Sequence, residues 1–162
     1  MTRLLTIDDL IYAVHSGKWF VDGESWTGLR RLALLDSLRR GYPIGCFVVA
    51  DWRCADRVDL IDGRARALTL ASAIGPSSPV VFDVDALEFI EGEATPLRLP
   101  LTSLRPSSLM DFIRPLPHDE HRRRRVDAVN SVGKILHATV PVVEVNINDA
   151  DEVRRRLHEN AS

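Results

Sequence analysis

The chain predicts an α+β fold, a small mixed and mostly antiparallel sheet packed with helices. Short β-type runs recur between turn residues, as in I-G-C-F-V-V-A (Ile44–Ala50), V-D-L-I (Val58–Ile61) and V-V-F-D-V (Val80–Val84). Helix-period segments with recognisable caps lie on both sides of them. No repeat, low-complexity tract or linker breaks the 162 residues, a length at which one domain buries roughly 70% of its unfolded surface. The expected organisation is one domain over 1–162. Within it, 6–104 forms a core and 105–162 a helical extension with one strand and a terminal helix.

At the start of the chain, Thr6 and Asp9 resemble a capping box, with Leu10, Ile11 and Val14 at helical spacing and Ser16-Gly17 as the stop. Lys18 to Ser25 reads as an extended or looped link holding Trp19 near Trp26. Thr27 is placed to cap a second helix whose apolar stripe is Leu29, Leu32, Leu35 and Leu38. Gly41 ends that helix as a left-handed cap, and Pro43 prevents its resumption. The runs from Ile44 and Val58 form a hairpin around a turn at Asp51 to Asp56. Arg64 to Ile74 is helical up to Gly75-Pro76. Val80–Val84 and Leu87–Ile90 pair around Asp85-Ala86, and Leu97–Leu101 adds a third strand. A short helix spans Ser107 to Ile113 and a longer one His118 to His137, with Val126, Val129, Val132, Ile135 and Leu136 as its apolar face. Val140–Ile147 is a strand, and Asn148-Asp149 caps a last charged helix.

Bulk composition narrows the function classes. A net charge of −2 gives no global field that would draw the chain to nucleic acid, so polyanion binding would have to be local. Two cysteines make no disulfide framework. Cys46, in an apolar run, reads as a small core residue, and Cys54, in a polar turn, as a free thiol. A reducing cytoplasm is the expected compartment. No basic-then-apolar leader opens the chain, and no apolar run approaches the ~18 residues of a membrane span.

The stretch R-V-D-L-I-D-G-R-A-R-A-L-T-L (Arg57–Leu70) carries the strongest candidate chemistry. A strand, a glycine turn and a helix start place unpartnered N–H groups at the positive end of a helix dipole. Gly63 permits close approach, Arg64 and Arg66 offer forks for phosphate oxygens, and Asp62 can orient an arginine or hold a metal. The alternative is a plain β-turn-α connection with solvated arginines. The run H-R-R-R-R (His121–Arg125) offers Arg122, Arg123, Arg124 and Arg125 to phosphodiesters, or is simply a solvated helix start. His118 and His121 share a helix face but lack a third ligand, so no metal site is expected. Trp19, Phe20 and Trp26 suit either base stacking or a core. No nucleophile motif and no G-x-x-x-x-G-K-[ST] loop is present.

The order of these pieces, S-L-R-R-G-Y-P-I-G followed by a strand and D-G-x-x-R-x-x-T-L, resembles the N-terminal domain of the GmrSD type. The resemblance runs from about Leu5 to about Asn160 and is carried chiefly by Leu35 to Leu70. It implies a ParB/sulfiredoxin-like fold and a nucleotide site, with magnesium as the accompanying ion. It also implies coupling to an HNH-type nuclease, as partner subunit or C-terminal domain, in restriction and phage defence. Family members carry Q-R-x-x-x-W and D-G-Q-Q-R-x-x-T-L. Here Trp26 matches the tryptophan, while Val21-Asp22 stands at the Gln-Arg pair. Asp62, Gly63, Arg66, Thr69 and Leu70 match the second element, whose glutamines are Arg64 and Ala65. Asn160 falls at the family's terminal asparagine, and Arg156 where a phenylalanine is usual.

Loss of the glutamine amides removes groups that both donate and accept, which water placement in a nucleotide site uses. The expectation is a nucleotide- or phosphate-binding pocket formed by Asp62, Gly63, Arg64, Arg66, Thr69 and Trp26, with weak or no hydrolysis, serving a sensing or interaction role. The alternatives are an active NTPase or nuclease component needing an HNH partner, and a DNA-binding module using Arg30, Arg31, Arg39, Arg40 and Arg122 to Arg125. A structural scaffold in an oligomeric assembly is a fourth.

Overall fold

The computed structural model describes residues 1–52, 57–146 and 149–160. Among these, the chain order is β1 (Thr2–Thr6), α1 (Ile7–His15), β2 (Trp19–Phe20), α2 (Gly28–Arg39), β3 (Phe47–Trp52), β4 (Arg57–Asp62), α3 (Arg64–Ala73), β5 (Val80–Asp83), β6 (Glu88–Glu91) and β7 (Arg98–Pro100). Then come α4 (Pro106–Ile113), α5 (Arg122–Gly133), a 3-10 turn (Lys134–His137), β8 (Thr139–Val145) and α6 (Ala150–Asn160). The α+β class holds, with the strands divided between two sheets. One is five-stranded and mixed, in the order β1-β8-β3-β4-β2, and the other is an antiparallel triplet, β6-β5-β7.

Several local signals act as their chemistry dictates. The Thr6 hydroxyl accepts from the Asp9 N–H at 3.1 Å and starts α1. Helix α2 ends in a Schellman arrangement: Gly41 at φ 75° lets its N–H reach the Leu38 carbonyl while Tyr42 N–H reaches Ser37. Thr27, however, makes no side-chain cap. Glu91 of β6 replaces it, accepting from Gly28 N–H at 3.1 Å and from Arg31 at 2.5 Å. A carboxylate from the second sheet thus sits at the positive end of α2. The apolar stripe of α2 is also rotated from the expected one. Leu34, Leu35 and Leu38 are buried, whereas Leu29 in the first turn is 84% exposed.

The five-stranded sheet packs against the main core on one face and, over part of the other, against α6. Phe47, Val49, Leu60, Val140 and Val142 face the main core, shared with α1, α2, α3, α5 and the three-stranded sheet. Val48, Ala50 and Ile61 face the other way, with Val143, Val145 and two residues of α6, Val153 and Leu157. Strand β8, from the segment read as an extension, lies inside the sheet between β1 and β3. The strand β1, which carries no conspicuous β signal, pairs with it.

Other boundaries shift. The run from Ile44 enters the sheet only at Phe47, and Cys46 is exposed rather than in the core. The helix expected from His118 starts at Arg122, because the chain turns from Asp119 to Arg122, with the Asp119 carboxylate accepting from His121 N–H at 2.9 Å. The turn bearing Cys54 and the capping Asn148 lie outside the described residues, as does the Asn160 side chain. No helix among the described residues is long and apolar enough to cross a membrane.

Candidate anion site at the start of helix α3

The β4–α3 junction is shaped from below by an irregular strand. Val48 pairs with Asp62 and Val49 with Leu60, so β4 holds one extra residue, Ile61, immediately before the turn. Such a bulge bends the strand and re-aims the residues after it. Gly63 then takes φ 88° as the residue preceding α3, with the Phe47 ring beneath it; a Cβ there would sit 2.5 Å from Phe47 Cδ1. Glycine is required on both counts.

Helix α3 begins against the usual electrostatic rule. Arg64 and Arg66 occupy its first turn, no acidic residue does, and no side chain caps its first N–H groups. Cations at the positive end of a dipole are unfavourable, and free N–H groups there attract anions. Local violations of this kind concentrate at functional sites.

Five of the six residues expected to form the pocket, Trp26, Asp62, Gly63, Arg64 and Arg66, line one cleft of about 440 Å³. Asp22, Gly23 and Glu24 close one side and Arg154, Leu157 and His158 of α6 another. The α6 contribution is the part that reading the residues in isolation misses. Its signal is spacing: Val153 and Leu157 dock the helix on the sheet, so Arg154 and His158, each one residue further on, share the adjoining edge.

The individual roles differ from those expected. Arg66 is committed to the scaffold: its guanidinium donates to the carbonyl oxygens of Ile44 and Cys46, the latter at 2.9 Å. It also lies over the Phe47 ring at 4.8 Å and 3.8 Å from Asp62. Thr69 is fully buried and does not line the cleft. Its hydroxyl accepts from Trp26 N–H at 2.7 Å and donates to Ala65 at 2.6 Å, fixing Trp26 to α3. The Arg30 guanidinium stacks on the Trp26 ring at 3.9 Å.

Arg64 is the exposed cation at the helix start, and it bonds Asp22 at 2.6 Å. That hydrogen bond, with the charge of Arg64, holds the Asp22 carboxyl below its ordinary range. The Asp22 side chain is exposed and that of Arg64 half-exposed, so solvent screening keeps the pair weak, and an arriving anion can compete for Arg64. Thus Asp22 compensates the charge of Arg64 at the mouth of the cleft. The chain contains no glutamine at all.

The second basic run is divided between internal partners and solvent. Arg125 is buried between Asp85 at 2.7 Å and Asp119 at 3.1 Å. Arg122 donates to the carbonyls of Leu116 and Ile113, closing the end of α4. Arg124 lies 3.8 Å from Asp85, and Arg123 is exposed. On α2, Arg31 is bound by Glu91, and Arg39 and Arg40 pair with Asp36. Among the described residues no three His, Cys, Asp or Glu side chains gather to hold a metal ion; His121 instead lies 3.3 Å from Glu120.

The chain matches no protein-family model, and no curated protein matches it.

Proposed function

We propose that the cleft at the start of α3 binds a phosphate-bearing ligand, with a nucleotide as the leading class. In this reading the chain is a divergent GmrSD-type N-terminal domain of ParB/sulfiredoxin-like fold, acting as a sensing or interaction module in a DNA-linked defence process. The observation that carries it is the uncapped first turn of α3, opening into a cleft of about 440 Å³ beside Arg64, Arg154 and Trp26. Phosphate oxygens would take the α3 N–H groups and the Arg64 fork, and Arg154 would approach from α6. The Trp26 side chain would form the wall for a flat group.

The same geometry argues for binding over turnover. Asp22, the carboxylate nearest Arg64, is held low and is a poor general base. Arg66 is tied to backbone carbonyls and is not free to follow charge developing on a phosphoryl group. Magnesium, where required, would arrive with the ligand. A thermal-shift panel of ATP, GTP, inorganic phosphate and nucleosides, each with and without magnesium, tests this. Phosphate-bearing compounds should raise Tm and nucleosides should not. Multiple-turnover release of phosphate from ATP or GTP, lost in Arg64→Ala, would contradict the binding-only reading.

A further inference from the structure

The two edges of the five-stranded sheet are unequal. One ends in β2, only two residues long, and the other in β1, five residues long. Short edge strands protect against pairing, whereas a regular five-residue edge with no proline and no bulge does not.

Three hydrogen bonds fix the direction of the β1 backbone groups. Met1 and Glu144 exchange N–H and carbonyl bonds at 3.2 and 2.8 Å, and Ile7 N–H donates to Ala138 at 2.9 Å. Odd-numbered residues therefore bond inward to β8, since successive groups alternate along an antiparallel strand. The N–H and carbonyl of Thr2 and Leu4 and the N–H of Thr6 point outward. Among the described residues, β1 pairs with β8 alone.

The side chains agree with this open edge. Leu4 pairs with Pro141, so both stand on the same face, and both are exposed, Leu4 at 69%. Pro141 is tolerated inside the sheet because β3 joins β8 only from Phe47 and Val142 onward. Helix α6 covers the part of this face over β3 and β4, leaving Leu4 and Pro141 beyond its apolar cluster.

We propose that the β1 edge is a self-association surface, pairing antiparallel with β1 of a second copy about a two-fold axis at Leu4. In this register Leu4 exchanges both backbone bonds with Leu4 of the second copy, and Thr6 N–H meets the carbonyl of Thr2. Arg3, the one charged residue of the strand, falls opposite Leu5 and not opposite itself. The end carrying Arg3 lies against the end that runs into exposed Asp8 and Asp9, so the charges are complementary across the axis. Leu4 and Pro141 of both copies form one apolar strip. The result is a continuous sheet with β2 at both outer edges, which removes the long open edge.

Sedimentation equilibrium of the full chain over roughly 1–100 μM, the range of a transient interface, tests the proposal. The expected mass is that of two chains at the upper end. Leu4→Lys should return the monomer with unchanged far-UV circular dichroism. Leu4→Pro should do the same, since its lost N–H is outward-facing and serves no bond in the monomer. Amide exchange supplies an independent readout: the Leu4 amide should gain protection with concentration while Arg3 stays protected throughout. A monomer across the whole range, or a dimer unaffected by both variants, overturns the proposal.

Discussion

Arg66 reaches back from the first turn of α3 and donates to the Cys46 carbonyl at 2.9 Å, holding the chain between α2 and β3 against the helix start. Its second donor takes the Ile44 carbonyl, and its plane rests over Phe47. The arginine at the second cationic position of D-G-R-A-R is therefore a brace under the site, and Arg64 is the cation that faces it.

The two arginines should separate in their effects. Arg66→Ala leaves the part-buried Ile44 carbonyl and the more exposed Cys46 carbonyl without their donor and should cost about 1–3 kcal/mol in urea unfolding. Arg66→Lys should recover little, because an ammonium lacks the planar fork that reaches both oxygens. Arg64→Ala, removing a solvent-screened pair, should leave the unfolding free energy within about 0.5 kcal/mol of the parent while weakening ligand binding.

Gly63→Ala should be more damaging than Gly17→Ala. Both glycines have positive φ, 88° and 74°, so each substitution carries backbone strain of about 1 kcal/mol or more. Only at Gly63 does the added Cβ meet a packed ring, that of Phe47; nothing lies near a Cβ at Gly17. Comparing the two unfolding midpoints isolates the contact.

Thr69→Val keeps the volume of a fully buried side chain but removes the acceptor of Trp26 N–H. A loss of about 1–3 kcal/mol is expected. Trp26 should also loosen, and quenching by acrylamide should rise in a variant where Trp26 is the only tryptophan.

Acid should weaken the clasp that joins the start of α5 to the β5–β6 turn. The Asp119 carboxyl is held below its usual value of 3.8, first by the His121 N–H and then by Arg125. A lowered folded pKa contributes stability that is complete above the unfolded value and disappears as pH falls through the folded one. Asp119→Asn should therefore be less stable than the parent at pH 6, and the difference should shrink below about pH 4. A difference that is constant with pH would show that ionisation of Asp119 contributes nothing.

Much of this was legible in the residues because it is local. Thr6 with Asp9, Gly41 with Pro43, and D-G before α3 each act through neighbours in sequence, and each sits where its chemistry predicts. The features that were not legible are set by partners far along the chain. Glu91 caps α2 from 63 residues away, so Thr27 looked sufficient. Leu29 fits the helical stripe but lies in the first turn, beyond the core. The run R-R-R-R reads as a charged surface, yet Asp85, 40 residues upstream, draws Arg125 inward. At the cleft, the contribution of α6 depends on its docking over the sheet, which its charged sequence discloses only through Val153 and Leu157.

Phosphate binding at the start of α3 is best tested by a ¹⁵N–¹H correlation titration of the full chain with inorganic phosphate and with GTP. The largest amide shifts should fall on Gly63, Arg64, Ala65 and Arg66, which line the cleft, and Arg64→Ala should weaken the titration at least several-fold. No shift at these four amides, or shifts of equal size in Arg64→Ala, would contradict it.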